Sequence, residues 1–230
     1  MIITAIQSSR RVIKDGDIFA IAQKIVSKSE NRYRLLSEYN PSKEAKKIAK
    51  QIEKDARFVQ AVLEESHKVV RYRKNVLIVE NNIGFIQANA GIDRSNIDQS
   101  EERILLLPED PDGSANKIRL ILRKHFKVNI GVIITDTMGR PFRNGIVGFA
   151  IGASNINSIR DERGKKDLFG NELKVTQIGT ADELAAAASL IMGQANQKTP
   201  VVLIRGHVTN KNEINNASAL IRDEQEDLFR

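Results

Sequence analysis

The stretch from residue 131 to residue 152 places the strongest limit on what this chain can fold into. It opens with a β-branched apolar run, residues 132–134, of the kind that fits a buried strand. Asp136 follows two residues later between Thr135 and Thr137, so the strand is expected to stop there. A carboxylate at the end of a core strand is costly to bury unless a cation or hydrogen-bond donors meet it.

Two interpretations of this stretch stay open from its residues alone. In the first, Asp136 binds Mg²⁺ or Mn²⁺, the ions that oxygen ligands suit. Arg140 and Arg143 then hold a phosphate or a carboxylate in their planar guanidinium groups. In the second, the strand ends in a Thr-Asp turn and both arginines are solvated.

Composition sets the broad class of protein. The chain has 230 residues, 41% of them hydrophobic, which is enough for one substantial core or two small, closely joined ones. Because it has no Cys, disulfides, zinc-thiolate sites and cysteine nucleophiles are excluded, and three His argue against a histidine-based metal site. The N-terminal charges follow the apolar residues, and no apolar run approaches membrane-spanning length. A cytoplasmic protein with no membrane partner is expected.

The net charge of +7 indicates an anionic partner. Its distribution argues against nucleic acid, because residues 43–55 interleave lysines with acidic residues as on a solvated helix face. Aromatic residues make up only 5% of the chain and form no cluster on which bases could stack. A nucleotide or another phosphorylated small molecule is the partner that remains.

Local patterns predict most of the secondary structure. Strands are expected at residues 18–22, 76–79, 84–88 and 200–206, and helices at 3–12, from Ser42 as N-cap, at about 57–66, at about 114–125 and at 180–192. The 114–125 helix is expected to bury Ile118, Leu120, Ile121 and Leu122, with Asp110 and Asp112 as turn and cap residues. The last helix is expected to open with a capping box at 180–183, and its alanine face to admit close approach of another element, for example from a second subunit.

Polar clusters follow three of the apolar runs, at residues 23–28, 91–96 and 135–143. If they converge, Asp93, Asp136, Lys24 and Lys28 supply the carboxylates and cations of a metal-assisted phosphoryl-transfer site. Surface lysines and an Asx-turn at Asp93 are the ordinary alternative. The sequence has no P-loop, no G-x-G-x-x-G after a strand and no G-x-S-x-G elbow.

Five motifs together resemble the coenzyme F420-0:γ-glutamyl ligase family, in order over nearly the whole chain. They are A-Q-K-I-V-S-K-S-E-N-R at 22–32, A-G-I-D-R-S-N at 90–96, L-P-E-D-P-D-G-S-A at 107–115, I-T-D-T-M-G-R at 134–140 and D-L-F-G-N-E-L at 167–173. The motifs are long, and they belong to no widespread nucleotide fold.

The resemblance implies a GTP-dependent, GDP-forming ligase that adds L-glutamate to the lactyl carboxylate of coenzyme F420-0, and then further γ-linked glutamates. It implies Mg²⁺ or Mn²⁺, with two ions, and K⁺. It also implies an α+β fold of mixed sheets with flanking helices, in which two interleaved lobes over residues 1–230 form an intertwined homodimer.

The resemblance also assigns site residues. Metal ligands fall on Asp93 and Asp136, with Thr137 beside the second ion. Gln194 falls where some relatives have Glu, and its neutral amide binds a divalent ion more weakly than a carboxylate does. Nucleotide contacts fall on Gln23, Lys24, Lys28, Asn96, Met192, Gly193, Gln194, Ala195 and Asn196.

Two departures from the family concern the ends of the chain. Relatives carry an N-terminal segment with a Gly-Leu-Pro or Gly-Ile-Pro loop, and this chain is expected to lack it. Either Met1 is not the native start, or the protein binds GTP without that loop. Some bacterial relatives are fused to a flavin-binding domain, which is not expected after residue 230.

The expected mechanism is acyl transfer through an acyl phosphate, with Lys24 and Lys28 neutralising the charge that develops. Arg140 and Arg143 are candidates for holding a substrate carboxylate or the F420-0 phosphodiester, although the resemblance does not assign them. Two alternatives remain open: a non-catalytic deazaflavin- or nucleotide-binding module, and a related amide ligase with another acceptor.

Overall fold

A computed structural model gives the chain an α+β fold and describes residues 1–97 and 102–229. The helices are α1 (Ile2–Ser8), α2 (Gln23–Ser29), α3 (Lys43–Ile52), α4 (Ala56–Glu64), α5 (Pro111–Phe126) and α6 (Thr180–Met192). The strands are β1 (Ile18–Ala22), β2 (Tyr33–Leu35), β3 (Ser66–Arg73), β4 (Val76–Asn81), β5 (Ile86–Ala88), β6 (Arg103–Leu105), β7 (Gly131–Arg140), β8 (Arg143–Ser154), β9 (Arg160–Asp161), β10 (Gln177–Ile178) and β11 (Val201–Ile204). Of the helices described, none has the length and apolar character needed to cross a membrane.

The sheets are mixed, as predicted. The largest has the strand order β11-β1-β7-β8. In it β1 runs parallel to β7, with Ile18 opposite Gly131 and Ala22 opposite Thr135, and antiparallel to β11. A second sheet, β3-β4-β5, is antiparallel throughout, and β2 pairs antiparallel with β6.

The chain divides into two compact units, each assembled from three separate stretches. Unit 1 comprises residues 1–22, 111–135 and 148–220, and unit 2 comprises residues 23–110, 136–147 and 221–230. All three polar clusters predicted from the sequence contribute residues to unit 2.

The core of unit 1 lies between its sheet and α6. Ile18 of β1 and Ile133 of β7 pack against Ala181 and Ala185 of α6. Gly148 of β8 is required here, because a Cβ at this position would lie 2.5 Å from the carbonyl oxygen of Ala185. The alanine face of α6 therefore admits a close neighbour, as predicted, and that neighbour is a strand of the same unit.

The core of unit 2 is formed by α3, α4 and β4. Ser42 caps α3 as predicted, since its Oγ accepts a hydrogen bond of 3.0 Å from the amide of Ala45. Ile48 and Ile52 of α3 pack with Phe58 of α4 and Leu77 of β4 in one buried cluster. This packing gives unit 2 its own hydrophobic core.

The predicted end of the strand at Asp136 is wrong. Strand β7 continues to Arg140, and Asp136 lies inside it. The strand continues because β8 begins after only two intervening residues and lies beside it in the sheet. Backbone pairing with a neighbouring strand decides where a strand ends, and the polar residues of β7 do not break that pairing.

The predicted burial on α5 is wrong in part. Leu122 is buried, but Leu120 is 47% exposed and Ile121 is 58% exposed. Successive residues of an α-helix point about 100° apart, so consecutive apolar residues cannot all face one core. Asp112 is not a cap, because it is the second residue of α5, and its carboxylate accepts hydrogen bonds from the amides of Ala153 and Ala217.

The predicted capping box on α6 is also wrong. Gly179 is the N-cap, Thr180 is the first helical residue, and the cap position has no side-chain hydrogen bond. Asp182 instead accepts a hydrogen bond of 2.9 Å from the amide of Ala150, which ties the start of α6 to β8. The box fails because the helix begins one residue earlier than the local pattern predicts, which places Thr180 inside the helix and not at the cap.

Candidate functional site

Helix α2 presents two lysines from one side. It begins at Gln23, directly after β1, and Lys24 and Lys28 lie four residues apart, about one helical turn. The Nζ of Lys24 lies 2.6 Å from Oδ2 of Asp93, and the Nζ of Lys28 donates a hydrogen bond of 2.9 Å to the carbonyl oxygen of Asn96. Two of the predicted clusters, 23–28 and 91–96, therefore meet in unit 2.

The loop that carries Asp93 is held by its own hydrogen bonds. The backbone of Asp93 pairs with that of Leu105, with 2.9 Å bonds in both directions. Its Oδ1 accepts hydrogen bonds from the amide of Ser95 at 2.6 Å and from the Ser95 hydroxyl at 2.8 Å. These bonds form the Asx-turn named above as the alternative to a metal site, and they also fix the direction in which the carboxylate points.

Asp93 remains charged in this environment. Burial by itself raises the pKa of Asp93, but the hydrogen bonds from Lys24 and Ser95 and the charge of Lys24 outweigh it, so the pKa lies below its usual value. The carboxylate is therefore available as an anionic ligand at neutral pH.

Among the described residues, Asp136 has few partners that stabilise its charged form. Its Oδ1 accepts a hydrogen bond of 2.8 Å from the amide of Thr137. Burial, the largest cause, and the negative charge of Asp93 raise the pKa of Asp136, while the Thr137 amide and the charge of Lys24 lower it, and together these effects raise the pKa to about 7. Asp136 and Asp93 are thus close enough to interact electrostatically, and an added cation would stabilise both.

The donor set suits a hard divalent cation. Asp93, Asp136 and Thr137 offer oxygen atoms alone, which Mg²⁺ and Mn²⁺ prefer. Within residues 1–97 and 102–229, no group of three or more His, Asp or Glu side chains could hold a metal ion. In the usual Mg²⁺ arrangement, one or two carboxylates act together with substrate phosphates and water.

The two candidate arginines show no hydrogen bond to these carboxylates within the described part of the chain. Arg140 is partly buried, and one of its Nη atoms lies 3.4 Å from the carbonyl oxygen of Asn144. Its buried Nε has no hydrogen-bond partner among the described residues. Arg143 is exposed.

Comparison with known proteins decides the family. The model of the F420-0:gamma-glutamyl ligase family matches residues 1–206. The chain belongs to this family. It is 45% identical over 222 residues to a coenzyme F420:L-glutamate ligase of Methanococcus maripaludis, an alignment that covers 96% of this chain and 88% of the relative.

Other relatives carry the same name. The chain is 46% identical over 219 residues to a coenzyme F420:L-glutamate ligase of Methanocaldococcus jannaschii, covering 95% of this chain and 86% of the relative. It is also 46% identical over 224 residues to one of Archaeoglobus fulgidus, covering 97% and 88%. The resemblance stated from the five motifs is therefore confirmed.

The remaining residues that the family resemblance assigned lie in two places. Gln23 is buried in unit 2, and its Nε2 donates a 2.7 Å hydrogen bond to the Ser27 hydroxyl. Met192 lies in unit 1, where its sulfur is 3.7 Å from the Thr135 hydroxyl, and residues 193–196 follow the end of α6. Gln194 is exposed. Their nucleotide and metal roles stay predictions.

Sequence reasoning missed two features of the site. It did not predict α2, although the spacing of Lys24 and Lys28 by four residues is a helical signal. It also missed Ser95, whose hydroxyl accepts a 2.9 Å hydrogen bond from Lys24 and contacts Asp93. The Asp-x-Ser spacing typical of Asx-turns was the available clue.

Proposed function

We propose that this protein is a GTP-dependent ligase that joins L-glutamate to coenzyme F420-0. The names of its relatives support the ligase reaction and its substrates. The observation that carries the nucleotide half of the proposal is the meeting of Lys24 and Lys28 with the loop of Asp93, beside Asp136. Phosphoryl transfer needs both cations for the phosphates and carboxylates that bind a metal.

The proposed reaction has two steps. The lactyl carboxylate of F420-0 attacks the γ-phosphorus of GTP, a new O–P bond forms, and GDP leaves with the electron pair of the broken bond. The amine of L-glutamate then attacks the carbonyl carbon of the acyl phosphate. A C–N bond forms, the C–O bond to phosphate breaks, phosphate leaves, and the amine gives up its proton.

Each residue of the site has a role in this scheme. Lys24 and Lys28 neutralise negative charge on the phosphates. Asp93, Asp136 and Thr137 would hold Mg²⁺ or Mn²⁺, which when bound neutralises charge on the triphosphate. Because a metal ion and Lys24 compete for the Asp93 carboxylate, metal binding there would leave the Lys24 ammonium available for a phosphate.

The other predicted contacts complete the substrate sites. Gln23, Asn96 and residues 192–196 are proposed to contact the nucleotide. Arg140 and Arg143 are proposed to hold an anionic group of F420-0, and the unpartnered Nε of Arg140 among the described residues supports this role.

A homodimer is part of the proposal. Among the large apolar side chains, Phe142, Leu168, Phe169 and Leu190 are strongly exposed, and they are proposed to lie in the contact between the two chains. Light scattering should give twice the chain mass of 25.7 kDa, and a mass equal to one chain would contradict the dimer.

Mass spectrometry tests the ligase reaction directly. F420-0 incubated with the protein, GTP, Mn²⁺ and L-glutamate should give a product heavier by one or more glutamyl units. ATP in place of GTP tests the nucleotide, and omission of Mn²⁺ tests the metal. GTP binding without a glutamylated product would favour a non-catalytic binding module, and product with another acceptor alone would favour a related amide ligase.

A further inference from the structure

Unit 2 contains a second polar cleft. Its volume is about 310 Å³, at the lower end of the range of small-molecule sites. Its lining comes from segments that lie between Lys24 and Asp93 in sequence and from one segment after Asp93. It comprises Arg32, Arg34, Glu65, Asn81, Asn82, Ile83, Ala90, Leu107, Pro108 and Glu109. The cleft therefore has cationic, anionic and amide groups in a space suited to a small, charged molecule.

Arg32 forms a fixed wall of this cleft. It is 7% exposed, and its Nε donates a 2.8 Å hydrogen bond to the carbonyl oxygen of Leu107. Its two Nη atoms pair with Glu109 and, at 3.2 Å, with Glu65. Because each of the three guanidinium nitrogens donates to a protein oxygen, Arg32 serves to position the two glutamates.

Asn81 lacks a partner on one side of its amide. The side chain is 2% exposed, and its Oδ1 accepts hydrogen bonds from the amides of Ile83 at 3.2 Å and Phe85 at 2.9 Å. Its Nδ2 has no partner within the described residues. Buried donors without a partner are rare in proteins, so this one indicates a place for an acceptor group.

Glu65 and Arg34 provide opposite charges in the same cleft. Burial raises the pKa of Glu65, and the charges of Arg32 and Arg34 only partly offset that rise. A further cation would therefore stabilise its carboxylate. Arg34 donates from Nη1 to the carbonyl oxygen of Tyr33, which uses one of the five donors of a guanidinium group.

We propose that this cleft binds the L-glutamate substrate, with Glu65 against the α-ammonium group and Arg34 and Asn81 against the carboxylates. The inference rests on the proposed function, which supplies the need for an acidic amino acid. A zwitterion with an extra carboxylate matches the lining, because it brings one cation to the acidic side and anions to the arginine and amide side.

The cleft lies near the Lys24–Asp93 pair, because residues that line the cleft are close in sequence to Asp93 and to α2. Ala90, which lines the cleft, precedes Asp93 by three residues, so their Cα atoms lie at most about 11 Å apart. Leu107 follows Leu105, the backbone partner of Asp93, by two residues. Arg32 is joined to α2 by a hydrogen bond of 3.0 Å from its amide to the carbonyl oxygen of Ser27.

The test measures KM for each substrate in variants of the full chain. Glu65→Gln removes the partner of the ammonium group, and Asn81→Asp replaces a donor with a negative charge while keeping Oδ1 as an acceptor. Each should raise the KM for L-glutamate by about tenfold or more, the cost of a lost charge-assisted hydrogen bond. KM for GTP should stay within about twofold, the variation tolerated for a site left intact. Glu44→Gln, at an exposed position in the first turn of α3, is the matched control and should change neither.

A KM for L-glutamate that is unchanged in folded Glu65→Gln protein would overturn the inference while leaving the ligase proposal standing. If the unaltered protein gives no glutamylated product, the ligase proposal fails, and calorimetric titration with L-glutamate in the presence of GTP and Mn²⁺ decides the cleft separately. Binding that both cleft variants weaken and Glu44→Gln does not would support the site. No binding, or equal binding in all the proteins, would overturn it.

Discussion

Asp17 in unit 1 is buried and Asp136 in unit 2 is partly buried, and their negative charges are stabilised to different degrees. Asp17, 1% exposed, receives two hydrogen bonds of 2.7 Å from Arg205 and one of 2.8 Å from the amide of Lys14. Burial alone raises the pKa of Asp17, but the bonds and charge of Arg205 outweigh it, and the pKa lies below its usual value. For Asp136, burial raises the pKa to about 7.

The difference separates a structural carboxylate from one kept for function. The negative charge of Asp17 is neutralised by a paired guanidinium group within its own unit, so loss of the Arg205 partner would leave a buried charge and destabilise that unit. No Lys or Arg in the described part of the chain is hydrogen-bonded to Asp136, and its charged neighbours include another carboxylate, Asp93. A carboxylate whose pKa is raised in this way is typical of a functional site.

The largest effect is expected from Asp136→Asn. It should lower ligase activity by about 100-fold or more, since such losses follow removal of a group that organises charge in the transition state. The melting temperature should be unchanged or higher, because the variant no longer buries an incompletely paired carboxylate. Product formation and a thermal melt measure the two effects. Near-normal activity would show that Asp136 is not part of the active site.

Asp17→Asn, the same substitution at the other carboxylate, should show the reverse pattern. It should lower the free energy of unfolding at pH 7 by about 1–3 kcal/mol, because hydrogen bonds to a charged group are weakened. Activity per folded molecule should stay near normal. Denaturant unfolding combined with an activity assay checks this. A large loss of activity in folded protein would contradict the assignment of Asp17 as a structural carboxylate.

A smaller effect is expected from Lys28→Gln. It should raise the KM for GTP by about five- to tenfold, the effect of one lost charge-assisted contact. Lys47→Gln, at an exposed position on α3, is the matched control and should leave KM unchanged. Steady-state rates at varied GTP concentration measure both values. Equal KM values for Lys28→Gln and the unaltered protein would show that Lys28 does not contribute to GTP binding.

The smallest effect is a pH dependence of stability. The pKa of Asp17 is lower in the folded than in the unfolded chain. The carboxylate therefore makes its full contribution to the free energy of unfolding at pH values above the pKa in the unfolded chain, about 3.9. This contribution is lost as the pH falls through the folded value. The stability difference between the unaltered protein and Asp17→Asn should therefore be constant from about pH 5 to 7 and shrink below about pH 4. A difference that grows in acid would contradict the Arg205 pairing.

Local patterns predicted much of the fold. Strand β1 was located because an apolar run follows the Asp-Gly turn, and α3 because Ser42 precedes an amphipathic repeat. Helix α2 was missed, since it starts directly at the end of β1 and is only seven residues long. The extension of β7 through Asp136 was missed for a different reason, because it depends on pairing with β8.

The site was less predictable than the fold. Residue types identified Asp93, Asp136, Lys24 and Lys28 as candidates, and their assigned roles came from the family resemblance. The contact between Lys24 and Asp93 joins distant segments, and no periodicity in either segment specifies it. The cleft around Arg32 and Asn81 was not predicted at all, because its lining comes from five separate stretches of unit 2.

Metal-dependent GTP binding tests the central claim most directly. Calorimetric titration with GTP should show binding to the unaltered protein and to Asp17→Asn that is strong with Mn²⁺ and weak after the metal is chelated. In Asp136→Asn the dependence on Mn²⁺ should disappear, with affinity falling to the metal-free level. Equal Mn²⁺-dependent binding in Asp136→Asn and the unaltered protein would contradict the account.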